Sequence, residues 1–429
     1  MSETIENADA PDQKPDQIPS KCGALAGIRV LDLTSVVLGP FATQTLGDMG
    51  ADVIKVESPD GDIMRYAEPM RSAGMGAVFL NINRNKRSVC LNLKKPQARA
   101  ALDKLIATAD VFIHSMRPQA IERLGLGYDA VRAITPNIIY CATVGFSARG
   151  PYATRPAYDD IIQGMSGLAD LSAQRSGGAP EFAPSIICDK ICGLTAYGAV
   201  TTALFHRERT GDGQAIEVPM FETMTAFTLA EHLTGHAFVP PKANLGYPRC
   251  LATERRPYHT ADGYMAVLPY SDRHWQAFFK TAGRHEMAHD PRMSNATERS
   301  RHISELYGLV AEIMREKTTA EWADLLSAAD IPSVPIKSLA DLETDPHLTA
   351  LNFFVDYMHP SEGQLRTTAV PVSYTESPGS PVRRPPPRLG EHTHEILDEV
   401  LANTGLHAAD IDALFQSGAA IAATARDGQ

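Results

Sequence analysis

The sequence predicts an α/β fold, with a mostly parallel sheet and a second, smaller α+β body. Three observations carry this. Short apolar runs ending in polar turns alternate with helical periodicities from residue 27 to 144. From about 237 to 340 the chain turns irregular, then mainly helical around a single clear strand. From about 345 to 415 short strands, a proline-rich run and a closing helix return.

The elements follow in order. Gly27–Thr34 reads as a buried strand, and Gly39-Pro40 punctuates before a short helix over 41–49. Strands are expected at 51–57, 88–93, 111–114 and 138–144. Lys95–Ala109 is an amphipathic helix with Ala98, Ala101, Leu102, Leu105 and Ile106 on one face. An apolar helix over 191–209 is followed by a tight turn at 210–214, a strand at 215–220 and further helix to about His236. Beyond it, 264–268 is a strand, and 273–282 and 299–328 are helical. The expected division is a tail over 1–22, a large body over 23–236, a small body over 237–340, a return to the large body over 341–415, and a tail over 416–429. Ligands of parallel sheets sit at the carboxyl ends of the strands, which directs attention to the loops after Thr34, Glu57, His114 and Gly145.

Composition excludes several classes. With 44% hydrophobic residues over 429, the chain can bury large cores. A net charge of -11 argues against a general nucleic-acid binder. Yet between Arg71 and Arg123 ten basic residues stand against three acids, a zone that suits a small polyanion or, for Arg99 and Lys104, a solvated helix face. No apolar run is long enough for a membrane span, and the N-terminus does not read as a signal peptide. Six scattered cysteines without a zinc-type pattern predict free thiols in a reducing cytoplasm and no metal site. No G-x-G-x-x-G follows the first strand and no P-loop occurs, so nicotinamide, flavin and P-loop nucleotide chemistry are disfavoured.

Several stretches together resemble the CaiB/BaiF family, the class III CoA transferases. They are Val30-Leu-Asp-Leu-Thr34 with Gly39-Pro40, Gly50-Ala-Asp-Val-Ile-Lys-Val-Glu57, and Asn85-Lys-Arg-Ser88 with Leu91-Asn-Leu-Lys94. Arg117-Pro118 with Arg123-Leu-Gly-Leu-Gly127, and Gly145-Phe146, Gly150-Pro151 and Tyr158-Asp-Asp-Ile-Ile-Gln163 with Ser166-Gly167 continue the match. Arg209-Thr-Gly-Asp-Gly-Gln214 and Leu389-Gly-Glu-His-Thr393 complete it. The resemblance spans about 25–403. It implies a large Rossmann-like CoA-binding domain built from both chain ends, a small inserted domain, and an interlocked homodimer. It also implies an acyl-CoA:carboxylate CoA-transferase that exchanges CoA between an acyl-CoA donor and a carboxylic acid acceptor, with no permanently bound cofactor.

The same resemblance assigns residues. The nucleophile falls about 30 residues after the Tyr-Asp-Asp motif, at Asp189, where it would carry a covalent aspartyl-CoA thioester. From the residues alone, Asp189 reads equally as a helix cap; a helix N-terminus would help keep it ionised. Tyr158 resembles in position a His base of related racemases, so the substitution favours transfer; it is expected to pack near the pantetheine end of CoA or else to be an ordinary core tyrosine. Asp159 is expected either to hydrogen-bond within the site or to form a turn. CoA contacts are implied at Val36, Val37, Lys94, Ser115, Met116, Arg117, Arg123 and Leu124. The glycine run that some formyl-CoA transferases carry over the aspartate is missing between 237 and 262. Arg249 or Arg256 is expected to meet a substrate carboxylate from the partner subunit, or else to be solvated surface. His232 and His236 lack a third ligand, and His392 reads as part of a turn. The alternatives are an acyl-CoA racemase or epimerase, and a CoA-ester-binding subunit without activity of its own.

Overall fold

The computed structural model describes residues 23–402 and 408–423. The expected tail over 1–22 lies outside them. The chain divides into two compact units. Of the described residues, one comprises 23–144, 193–218, 354–402 and 408–423, the other 145–192 and 219–353.

The first unit holds a seven-stranded sheet. Its strands are β1 (Arg29–Leu33), β2 (Asp52–Glu57), β3 (Lys86–Leu91), β4 (Val111–His114), β5 (Ile139–Val144), β6 (Gln214–Pro219) and the short strand Ala420–Ile421. From the Ala420–Ile421 edge the order is β3-β2-β1-β4-β5-β6. β1 pairs in parallel with both β2 and β4, so the chain's direction of winding reverses between β1 and β4. That reversal leaves a crevice at the carboxyl ends of these strands.

Alternation along each strand feeds two cores. Leu31, Ile54, Val89 and Phe112 face one side with Leu102, Leu105 and Ile106 of the helix Pro96–Ile106. Val30, Val53, Val111 and Ile139 face the other, against Leu46, Ala196 and Val200. Covering both faces buries nearly every residue of these strands, charged ones included. Close approach matters at Gly193, where a Cβ would stand 2.8 Å from the Leu38 carbonyl oxygen.

The second unit has its own core of Trp275, Phe278, Leu306, Tyr307, Val310 and Trp322. A small antiparallel sheet, Tyr258–His259, Tyr264–Val267 and Ser333–Pro335, lies in the same unit.

Four expectations need correction. The second unit takes 145–192 and 219–236 as well as 237–340, and extends to Phe353. Those added residues are helices and loops without a strand, so sequence alternation could not allot them. The helical stretch over 299–328 is three helices, Ala296–Arg301, Ile303–Met314 and Thr319–Ala328. The last is set off by a capping box in which Thr318 and Glu321 satisfy each other's backbone N–H groups. The first helix begins at Leu38, not 41, because proline is tolerated in a first turn. Finally, 416–423 is not a tail. The helix Ala408–Gln416 ends there, and Ala420–Ile421 pairs antiparallel with Cys90 and Leu91. The Thr393 hydroxyl fixes that strand by donating to the Ile421 carbonyl at 2.7 Å. Two residues are too few to show a period. Residues 424–429 of the expected tail lie outside the described residues.

Candidate active site

The crevice between β1 and β4 opens into a cavity of about 570 Å³. Four loops wall it, those following β1, β2, β3 and β4. Lys94, Ser115, Met116 and Leu124, four of the residues named above as CoA contacts, are among its lining. Arg117 and Arg123 are exposed and are not part of the lining. Val37 is buried beside it, and Val36 sits at φ 71°. That conformation is strained for a β-branched residue.

The strain has two visible anchors. The Asp62 carboxylate accepts the Val36 N–H at 3.1 Å and the Met64 N–H at 3.1 Å. Its other oxygen accepts from Lys55 Nζ at 2.9 Å, and the same ammonium donates to the Thr34 carbonyl at 2.9 Å. Lys55 thus ties the loop after β1 to the loop after β2. Ser115 ties the first to the loop after β4, since its hydroxyl accepts the Ser35 N–H at 3.1 Å. Neither Lys55 nor Asp62 was singled out in the sequence. The signal was present: a lysine centred in an apolar strand must find buried partners.

At and beneath the cavity wall, buried acids are paired with cations. Asp32 meets Lys86 at 3.0 Å, and Glu57 meets Arg65 at 2.7 Å. Burial alone would raise both carboxyls, but the Lys86 and Lys55 charges hold Asp32 well below the usual range, and Arg65 lowers Glu57. Much of the basic zone read from the sequence is therefore structural. Lys86, Arg84 and Arg87 are buried and paired with Asp32, Asp48 and Asp52.

The second unit presents the opposite arrangement. Asp189 is in the first turn of the helix Ile187–Thr210, two residues past its start, so it is not the cap. It is only 8% exposed. Its N–H donates to Asp159 Oδ1 at 3.0 Å. Asp159 is held in turn by Gln163, whose amide nitrogen donates to Oδ2 at 2.6 Å. The Gln163 oxygen accepts the Ala183 N–H at 2.9 Å, which fixes the amide's orientation. Gln163 is fully buried, and its supporting part was not foreseen. Tyr158, by contrast, is 64% exposed and not a core residue. Burial, and then the neighbouring Asp159 charge, push the Asp189 carboxyl up to about 7. The helix terminus does not keep it low, as expected from the sequence, because desolvation and a like charge outweigh a terminal dipole. The result is a buried, relatively basic carboxylate that titrates near neutrality, a state suited to covalent catalysis.

The remaining candidates separate. Arg256 is exposed and paired with Glu254 at 2.8 Å. Arg249 is half-buried, and its Nε donates to the Tyr307 hydroxyl at 2.9 Å. His232 is buried and accepts the Tyr247 N–H at 3.1 Å, whereas His236 is exposed. The His392 ring accepts the Ser88 N–H at 3.3 Å within a turn. Among the described residues no helix is long and apolar enough to cross a membrane.

Known proteins share this chain's pattern over most of its length. The family model described as CoA-transferase family III matches residues 25–393. The mouse succinyl-CoA:glutarate CoA-transferase is 33% identical, over 88% of this chain and 86% of its own. The succinyl-CoA:mesaconate CoA-transferase of Haloarcula marismortui is 31% identical, over 91% of this chain and 100% of its own. The crystal structure of a CaiB/BaiF family protein from Brucella suis superposes with a TM-score of 0.74 at 29% identity, covering 88% of this chain and 100% of that one. This chain belongs to CoA-transferase family III, and it is an enzyme of coenzyme A transfer.

Proposed function

We propose that the enzyme moves CoA from an acyl-CoA, of the succinyl-CoA type, to a short dicarboxylic acid, through covalent intermediates on Asp189. The observation that carries this reading is a buried acid with a like-charged neighbour and a carboxyl raised to about 7. The relatives' substrates, glutarate and mesaconate, support the acceptor class.

The reaction runs in four exchanges. An Asp189 oxygen attacks the thioester carbonyl, the carbon–sulfur bond breaks, and CoA leaves as thiolate. The thiolate attacks the aspartyl carbonyl of the mixed anhydride and expels the donor acid as its carboxylate. The acceptor carboxylate then attacks the aspartyl thioester and frees the thiolate again. The thiolate finally takes the acceptor acyl carbon, and Asp189 leaves as carboxylate. Each step exchanges one anionic nucleophile for one anionic leaving group, with no net proton transfer and no change of oxidation state, so the sequence calls on no redox group. Asp159 and Gln163 hold the Asp189 backbone in place. The cavity lined by Lys94, Ser115, Met116 and Leu124 suits the nucleotide end of CoA, with Lys94 as a point charge for phosphate. Val36 and Val37 shape its border.

A homodimer is part of the same proposal. Large apolar side chains stand open in each unit, among them Leu194 and Phe205 in one and Phe182 and Val239 in the other. Light scattering should return twice the chain's mass.

The test is a transfer assay with succinyl-CoA as donor and glutarate as acceptor, run with wild type and Asp189→Ala. Glutaryl-CoA from wild type only is the expected outcome. Equal rates would remove Asp189 from the mechanism. α-Deuterium exchange in an acyl-CoA without any acceptor would instead favour a racemase.

A further inference from the structure

A smaller cavity, of about 290 Å³, lies within the unit formed by 145–192 and 219–353. Tyr247, Arg249, Tyr270, Trp275, Arg299 and Ser300 line it. Two guanidiniums at one small cavity raise the question of what neutralises each.

Arg299 is accounted for. It is buried, paired with Asp272, and donates to the Met293 carbonyl at 3.2 Å. Arg249 is not. Among the described residues no carboxylate pairs with it, and the groups that act on it are the phenols of Tyr307, Tyr247 and Tyr270. Its Nε is taken by the Tyr307 hydroxyl at 2.9 Å, and its Cζ lies 4.7 Å from the Tyr270 ring centroid. One edge and one face are thereby fixed. What remains is the pair of terminal nitrogens, the fork that matches a carboxylate.

The backbone carrying Arg249 is also held. The Gly246 N–H donates to the His232 carbonyl at 2.8 Å, and the Tyr247 N–H to the His232 ring at 3.1 Å. The Thr253 hydroxyl donates to the Arg175 carbonyl at 3.1 Å, at the end of the helix Leu168–Ser176. An arginine braced from both sides of its short segment is preorganised for one ligand geometry. The cavity lies just below the size range of drug-sized ligand pockets and suits a short acid, not a nucleotide.

We propose that this cavity binds the unreacting carboxylate of a short dicarboxylic substrate, with Arg249 as its anion contact and Tyr270 and Trp275 flanking its methylenes. The proposal rests on the transferase reading above and names the residue that selects dicarboxylic over monocarboxylic acids.

The test compares full-length wild type, Arg249→Met and Arg249→Lys, each with a wild-type melting temperature. The ratio of kcat/KM for glutarate to that for butyrate should fall about 10- to 100-fold in Arg249→Met, the loss of a charge-assisted hydrogen bond, and less in Arg249→Lys. A ratio within twofold of wild type overturns the proposal and leaves the transferase reading intact. Calorimetric titration of glutarate without CoA is the second arm. Weaker binding to Arg249→Met supports the site, and equal binding overturns it. If wild type transfers CoA to no acid, the transferase reading fails, and the titration alone decides the cavity.

Discussion

Two groups of buried acids in this molecule meet opposite electrostatic fates. Around the cavity of the first unit, Asp32, Glu57 and Asp62 each touch a lysine or arginine. In the other unit, Asp189 has Asp159 beside it and its carboxyl rises to about 7. Burial raises a carboxyl in both places. Around Asp32 and Glu57 the neighbouring cations outweigh desolvation; beside Asp189 the fold supplies another acid, and the carboxyl stays high.

Five experiments break or sharpen this contrast, taken from the largest effect down. Asp189→Ala should lower CoA transfer by about a thousandfold or more, read by chromatography of the acyl-CoA products, because covalent catalysis has no substitute. Lys86→Met should strand Asp32 without its closest cation. Urea unfolding should show a loss of about 3–5 kcal/mol at neutral pH, the usual cost of breaking a buried pair from one side. Its pH dependence follows from the sign of the shift. Asp32 lies below its ordinary value, so its stabilisation is present above that value and fades as pH falls toward the folded-state pKa.

The third experiment concerns the raised acid. Asp189 favours protonation in the folded state, so the stability it lends is present below its ordinary value of 3.8 and is lost as pH rises through about 7. Asp189→Asn should therefore be more stable than wild type at pH 8, by roughly 4 kcal/mol at most, and match it near pH 3. Asp159→Asn should move the acid limb of the rate profile to lower pH by removing the like charge. An unmoved limb would mean that Asp159 does not set the Asp189 titration. The smallest effect belongs to the loop anchor. Asp62→Ala frees the Val36 N–H and one Lys55 partner, and should raise KM for the acyl-CoA donor about two- to tenfold with little change in kcat.

Much of the sheet was legible in the sequence. The strands through Val144 and the apolar face of the helix Pro96–Ile106 follow from period and turn chemistry. The last strand was not, because Ala420–Ile421 exists only by pairing with β3, some 330 residues away. At the site, Asp189 and Asp159 were named from motif order. Gln163, Lys55 and Asp62 were passed over, although Gln163 and Lys55 lie in quoted motifs and Asp62 lies in the loop just after one. Each acts through a partner distant in sequence, such as Ala183 for Gln163 and Thr34 for Lys55. The charge of the 71–123 zone was visible but not its destination, since only folding shows that Lys86 is spent on the buried Asp32 and Arg87 on the half-buried Asp52.

The most direct test of Asp189 as the carrier is to trap the enzyme in mid-reaction. Wild type incubated with succinyl-CoA alone should accumulate the aspartyl thioester, which borohydride reduces and hydroxylamine converts to a hydroxamate. Peptide mass spectrometry should then find the modification on Asp189 and on no other acid. Turnover with Asp189 unmodified, or with the label on a different residue, would contradict the account.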